Sequence, residues 1–233
     1  MNDGRNLLML SGDTQLATGR QGVFHGVLEE MARHFDRIDV ISPPPAGPIT
    51  TTALFGRVHL HPSRRAKWQQ LQHVLETRPR PSRRRPDRII TSHDYGFFYN
   101  GMAAYQLHRR VKTPYLSEIH HVPGHPRPAN LRERLDLPLN RVYARFAARH
   151  AVAIRVVNRT EMPALLRSFG VPAEKIQVIP SLYLDLERFR PQAGAKRFDL
   201  ILCGRLVANK RFDLVIDAFG QLKQEGRRLK VHL

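Results

Sequence analysis

The sequence predicts an α/β protein: a parallel sheet flanked by helices, with a second strand–turn–helix unit opening near the C-terminus. Two stretches carry this reading. At one end, the short apolar run 6–11 is followed by a glycine-bearing loop, 12–22. Apolar residues then recur at Val23, Val27, Met31 and Phe35, and a second apolar run, 38–42, is stopped by Pro43, Pro44 and Pro45. Fourfold apolar spacing marks a helix and the flanking runs have strand length, so the segment is a strand–loop–helix–strand unit. At the other end, the apolar run 200–203 stops at Gly204. Phe212, Leu214, Val215, Ala218, Phe219 and Leu222 then follow at helical spacing. The expected organisation is a first domain over 1–191, a polar linker over 192–197 and the start of a second domain over 198–233.

Between these ends the elements follow in order. Residues 43–63 show no sustained period and read as irregular or weakly extended. Residues 67–77 suit a helix with Trp68, Leu71, Val74 and Leu75 turned inward. The stretch 78–88 reads R-P-R-P-S-R-R-R-P-D-R. Its prolines, Pro79, Pro81 and Pro86, exclude regular helix and leave an exposed basic loop. Residues 88–92 form a strand that ends in His93-Asp94-Tyr95-Gly96. A helix using Met102, Ala103, Ala104, Tyr105 and Leu107 comes next, and after Pro114 the strand 115–119 ends in His120-His121. Asn130 is placed to cap a further helix, with Glu133 as its partner and Pro138 as a kink. The apolar stripe of that helix, Leu131, Leu135, Leu139, Val142 and Phe146, suits the core or, alternatively, a membrane surface. A strand over 151–157, a helix from Thr160 to Gly170 and a short strand from Ile176 complete the first domain.

Composition narrows the function classes. The net charge is +18, and arginine supplies 31 of the 38 basic residues. Such a balance either covers a solvated surface or draws anions: a phospholipid surface, a lipid phosphate or nucleic acid. The loop 78–88 lacks interleaved aromatics, so nucleic acid is not expected. No apolar run approaches the roughly 18–20 residues that span a bilayer, and residues 7–10 are too few for a signal-peptide core. A cytoplasmic protein is expected, with an anionic membrane surface at the inner face as a further partner. The lone Cys203 forms no internal disulfide and is expected to be buried in a strand. His120, His121 and His125 sit among Pro123, Gly124 and Pro126, a loop-like spacing that does not favour a metal site.

Two segments carry a family resemblance. G-R-L-V-A-N-K, from Gly204 to Lys210, resembles the opening of the C-terminal domain in retaining glycosyltransferases of family 4, where the consensus is roughly G-R-L-x-x-x-K-G. Arg211 stands in place of the last glycine, so a Cβ crowds the turn. G-V-P-A-E-K-I-Q-V-I-P, residues 170–180, resembles the segment that closes the family's N-terminal domain. The family continues N-G-V-D-x-x-x-F-x-P. Here Ser181-Leu182-Tyr183-Leu184-Asp185 follows, then Phe189 and Pro191. The resemblance implies the GT-B fold: a Rossmann-like domain on the acceptor side followed by a second Rossmann-like domain, truncated here, for the nucleotide sugar. The second domain's paired glutamates, spaced E-x7-E, are absent from these residues, which implies an incomplete donor site and a fragment inactive alone.

The same resemblance implies roles for particular residues. Arg205 and Lys210 would hold the donor diphosphate, and Gly19 and Gly22 would let the first loop close on the phosphates. His120, at the end of its strand, takes the catalytic position against the transferred sugar or the acceptor. His93 and Asp94, in a turn of the family's H-x-H-D type, are weaker candidates for acceptor or sugar contact, with Glu118 and His121. The expected reaction moves a hexose, with retention, from a nucleotide-diphosphate sugar to a hydroxyl of a lipid-linked or polysaccharide acceptor, with no metal and no further cofactor. Read from the residues alone, His120 is either a cleft residue or a structural one. Two other functions also stay open: a polyanion- or membrane-binding module without chemistry, and an inactive remnant.

Overall fold

A computed structural model describes residues 5–77, 89–94, 96, 98–128, 130–180, 186–187, 189–191, 193–195, 197–204, 206, 210–227 and 231–232. The basic loop 78–88 and Arg205 lie outside the described residues. The chain divides into two compact units, Met1–Pro123 with Leu135–Leu184, and Gly124–Arg134 with Asp185–Leu233.

The first unit is built on one sheet of eight strands: β1 (Asn6–Leu10), β2 (Arg37–Ser42), β3 (Ala53–Leu54), β4 (Val58–Pro62), β5 (Ile89–His93), β6 (Tyr115–Glu118), β7 (Ala153–Val156) and β8 (Ile176–Val178). Their order is β3-β4-β2-β1-β5-β6-β7-β8, and every pair is parallel except β3 with β4. The helices are α1 (Val23–Met31), α2 (Gln70–Thr77), α3 (Tyr99–Val111), α4 (Leu131–His150) and α5 (Glu161–Ser168). All five residues of β1 are buried, as a central strand covered on both faces requires. One face of the sheet packs Leu7, Met9, Ile38, Val40 and Val58 against Leu28, Phe24 and Met31 of α1. The other packs Leu8, Leu10, Ile90 and Ile154 against α2, α3, α4 and α5. Asn130 Oδ1 accepts the Glu133 N–H at 2.9 Å to cap α4. Asn158, rather than Thr160, caps α5, accepting the N–H groups of Glu161 and Met162.

Several local expectations fail for physical reasons. β4 lies within the stretch read as irregular, because its alternation V-H-L-H places histidines where polar residues face outward. Asp39 pins it: the carboxylate accepts Arg37 Nε and Nη2 at 2.6 and 2.8 Å and sits 2.7 Å from His61 Nε2. Burial pushes that carboxyl up, but His61 and Arg37 outweigh it and hold it down to about 2. Trp68 is 69% exposed, in a 3-10 turn ahead of α2. Val23 of α1 is also exposed, and Leu28 takes the buried position. Most of the apolar stripe of α4 is exposed too: Leu131, Leu135, Leu139 and Val142 face solvent, Phe146 alone of the stripe packs against the core, and the buried face is Asn140, Tyr143, Ala144, Ala147 and Ala148. Small residues there let the helix lie close to the sheet.

The second unit holds β9 (Leu200–Ile201) and β10 (Val231–His232), paired in parallel, and α6 (Phe212–Gln224). No residue of α6 is buried. Cys203 lies beyond β9 and is exposed, contrary to the expectation of a buried strand thiol.

The chain runs outward from β1 in both directions, to β2 and β4 on one side and to β5 through β8 on the other. That reversal opens a crevice past the carboxyl ends of β1 and β5. Asn100, buried at the start of α3, spans it. Its Nδ2 reaches the carbonyls of Leu10, Ser11 and His93 at 3.3, 3.1 and 3.2 Å, and Gln70 Nε2 donates to its Oδ1 at 3.4 Å. Replacing Asn100 with Ala strands these buried acceptors and is expected to lower unfolding free energy by about 2 kcal/mol, read from urea denaturation. Asn100→Asp, which turns a carboxylate toward carbonyls, should be worse.

Candidate functional site

The site follows from strand register. β5 pairs with β6 so that Ser92 lies beside Ser117 and His93 beside Glu118, and β6 pairs with β7 so that Glu118 lies beside Arg155. Side chains alternate between faces along each strand. Thr91, His93, Glu118 and Arg155 therefore share the face that α1 covers only in part, while Ser92, Ser117 and Asp94 turn to the side of α3 and α4. Where α1 stops covering the sheet, a cavity of about 380 Å³ opens, wholly within the first unit. Its polar edge is Thr91, His93, Glu118, His120 and Arg155, with Ser11, Gly12 and Asp13 at the end of β1. Its apolar wall is Met9, Leu10, Val23, Phe24, Val27 and Met31.

Three side chains form a relay along the polar edge. Arg155 Nη1 donates to Glu118 Oε2 at 2.8 Å, and His120 Nε2 lies 3.2 Å from the same oxygen. Arg155 also donates through Nε to the Ile179 carbonyl at 3.0 Å and through Nη2 to that of Pro180 at 3.2 Å. Burial alone would push the Glu118 carboxyl up, but the His120 hydrogen bond and the Arg155 guanidinium hold it below its ordinary value. An ionised carboxylate only accepts, so His120 Nε2 carries a proton and donates it to Glu118, which leaves Nδ1 as the ring atom turned away from that bond. The His93 ring lies 4.4 Å from that of His120. Burial, then the neighbouring His120, pushes His93 down to about 4, so it stays uncharged at neutral pH.

Beneath the relay lies a second polar cluster. Asp94 Oδ2 accepts Tyr143 Oη at 2.6 Å and Ser92 Oγ at 3.2 Å, together with Ser117 Oγ. Phe98 stacks on Tyr143 with centroids 4.0 Å apart and is itself held at φ +56°, a left-handed conformation that strains the turn after β5. A Cβ on Gly101 would collide with the Tyr143 hydroxyl, so this packing demands glycine there.

The sequence candidates thus separate. His93, Glu118 and His120 come together at the cavity. Asp94 lies under it on the opposite face, and His121 is exposed beside it. Gly19 and Gly22 do not line the cavity, whereas Gly12 and Asp13 of the same loop do. Gly19, at φ +78°, closes the 3-10 turn Leu16–Thr18, and a Cβ would press on Thr50 Oγ1 at 3.0 Å. Gly22 is extended and a Cβ there would meet nothing within 4 Å, so the fold sets no steric demand for glycine. Lys210 is exposed in the second unit, just ahead of α6. Arg155 escaped the sequence reading. Its signal was a single cation inside the apolar strand A-I-R-V. Among the described residues, no cluster of three or more His, Cys, Asp or Glu side chains is placed to hold a metal ion.

Asp94 supplies a pH test. Burial pushes its carboxyl up to about 7, against the pull of the hydroxyl donors. Oδ2 is filled by those donors and the buried Oδ1 has no partner, so the retained proton belongs on Oδ1. Between about pH 4 and 7 the folded chain holds a proton that the unfolded chain has released, so this group's stabilisation is full in acid and is lost as pH rises through 7. Asp94→Asn should remove this dependence: the fall in unfolding free energy between pH 5 and pH 8 should shrink by about 2 kcal/mol in urea titrations.

Residues 18–181 match the family described as a glycosyl transferase 4-like domain. No curated protein matches the chain. Among solved structures, the UDP-GlcNAc 2-epimerase from Methanocaldococcus jannaschii is similar at 8% identity and a TM-score of 0.41, over 75% of this chain and 45% of that one. This chain therefore spans less than half of that structure. The match over 18–181 begins late in the first loop, takes in the His120 relay and closes just past Pro180; it covers well over half of the residues, and the chain belongs to the glycosyl transferase 4-like domain family.

Proposed function

We propose that the protein is a retaining glycosyltransferase that moves a hexose from a nucleotide-diphosphate sugar to an acceptor hydroxyl. Family membership supports the reaction class. The observation that carries the site is the Arg155–Glu118–His120 relay, which occupies His120 Nε2 and leaves Nδ1 for substrate at a crevice of the sheet's carboxyl edge.

In the reaction the acceptor oxygen bonds to the anomeric carbon as the bond from that carbon to the phosphate oxygen breaks. The diphosphate leaves with the bonding pair. The acceptor proton passes to the departing phosphate oxygen on the same face, with His120 Nδ1 accepting a hydrogen bond from a hydroxyl of the sugar or acceptor. Glu118 sets the tautomer that makes this contact available, and Arg155 keeps Glu118 ionised. Arg205 and Lys210 neutralise the leaving diphosphate; charge-assisted hydrogen bonds of this kind contribute roughly 1.5–3 kcal/mol each. The first loop, which carries Gly19 and Gly22, approaches the phosphates through Gly12 and Asp13 at the cavity. The apolar wall built from Met9, Val23, Phe24, Val27 and Met31 favours a lipid-linked acceptor over a polysaccharide one.

The test is release of nucleoside diphosphate from a panel of nucleotide hexoses, with the product's anomeric configuration read by NMR. His120→Ala should lower kcat by about 100-fold. Arg205→Ala and Lys210→Ala should each lower kcat/KM by about tenfold or more. Wild-type rates in all three variants, or an inverted product, would discard the scheme.

A further inference from the structure

We infer that the solvent face of α4 docks on anionic phospholipid bilayers. Leu135, Leu139 and Val142 recur at three- and four-residue spacing, so they form one stripe. They are 66%, 39% and 65% exposed. The fold does not use them: the core takes the opposite face, through Tyr143, Ala144 and Ala147. On a helical projection, Arg149 lies on the line of Val142 toward the C-terminus and Arg145 borders the stripe, its Nε held by the Phe169 carbonyl at 2.6 Å, while Arg141 lies nearer the buried face. All three are exposed. Of the acids of the helix, Glu133 projects to the buried side and Asp136 lies at the stripe's other edge; both are half-buried.

An apolar strip edged by arginines is the arrangement of a helix that lies in a bilayer's interfacial plane. The leucines and valine enter the acyl boundary, while Arg149, at the end of the stripe, extends to the phosphates and Arg145 adds positive charge at its edge. The net charge of +18 draws the molecule to an anionic leaflet. Among the described residues, no helix is long and apolar enough to cross a membrane, so the contact is peripheral. Charge complementarity selects this occupant, because a bilayer offers an apolar interior bordered by phosphates along the whole length of the stripe.

The experiment is co-sedimentation of the 233-residue chain with vesicles of phosphatidylcholine, alone or with about 30% phosphatidylglycerol, at about 0.1 M salt. Binding to the anionic vesicles alone is expected. A Leu135→Ser, Val142→Ser double variant keeps both the net charge and the buried face. Its partition coefficient should fall about tenfold, with far-UV circular dichroism unchanged. Failure of the wild type to bind would overturn the inference. So would undiminished binding by the double variant, which would make the attraction charge alone. A concentration-dependent dimer that the double variant abolishes, without vesicle binding, would assign the face to a second copy and equally overturn it.

Discussion

The first unit depends on what happens between β1 and β5. The chain leaves β1 in opposite directions, so no connection covers the carboxyl ends of these two strands. A gap of that kind exposes backbone carbonyls in a place too narrow for bulk solvent. Asn100 closes it from below, its amide reaching carbonyls of both strands, and Gln70 holds the amide in place. An unmade hydrogen bond in a buried position costs more than a made one contributes. The crevice is thus supported by the group that keeps its floor satisfied. What remains open above that floor is the cavity that His93, Glu118 and His120 line.

Two carboxyls on adjacent strand ends show how the faces of the sheet divide the chemistry. Asp94 and Glu118 are 4% and 6% exposed, so desolvation penalises both. Their shifts nevertheless have opposite signs. Asp94 receives neutral hydroxyls from Ser92, Ser117 and Tyr143, which do not offset burial. Glu118 receives a guanidinium and an imidazole N–H, which do. Partner charge, rather than depth, decides which carboxyl ionises. The outcome is a brace under the strands that holds its proton in acid and an ionised anchor facing the cavity. That division follows from a one-residue offset along a strand, since neighbouring positions turn to opposite sides.

Much of this was legible in the residues. The runs that became β1, β2, β5, β6, β7 and β8 are mostly apolar, of strand length and stopped by proline, glycine, histidine or, after β7, asparagine. The strand-end motifs also pointed to the shared edge where His93, Glu118 and His120 meet. Other features were not legible, for definable reasons. Periodicity reports that α4 is amphipathic but not which face the core selects, and here Ala144 and Ala147 pack while the leucines do not. β4 hides behind alternating histidines, because its pairing with β2 rests on Asp39, distant in sequence. Arg155 has no motif. Its role exists only once β6 and β7 are in register and Glu118 lies beside it.

The departure at Arg211 is a different kind of case, in which the backbone kept what the side chain gave up. The family's turn ends in glycine at this position. In this chain the residue before α6 sits at φ +49°, ψ +42°, the left-handed region that glycine enters freely and that a Cβ disfavours. The Arg211 guanidinium forks onto the Asp213 carboxylate at 2.9–3.2 Å, two residues into the helix start. Both side chains are exposed, so solvent screens the pair and it compensates little of the strain. The turn must then be set by its surroundings. The left-handed residue stands directly before the first turn of α6. The sequence anomaly is therefore one of composition rather than geometry, and Lys210, one residue earlier, keeps its place at the mouth of the helix.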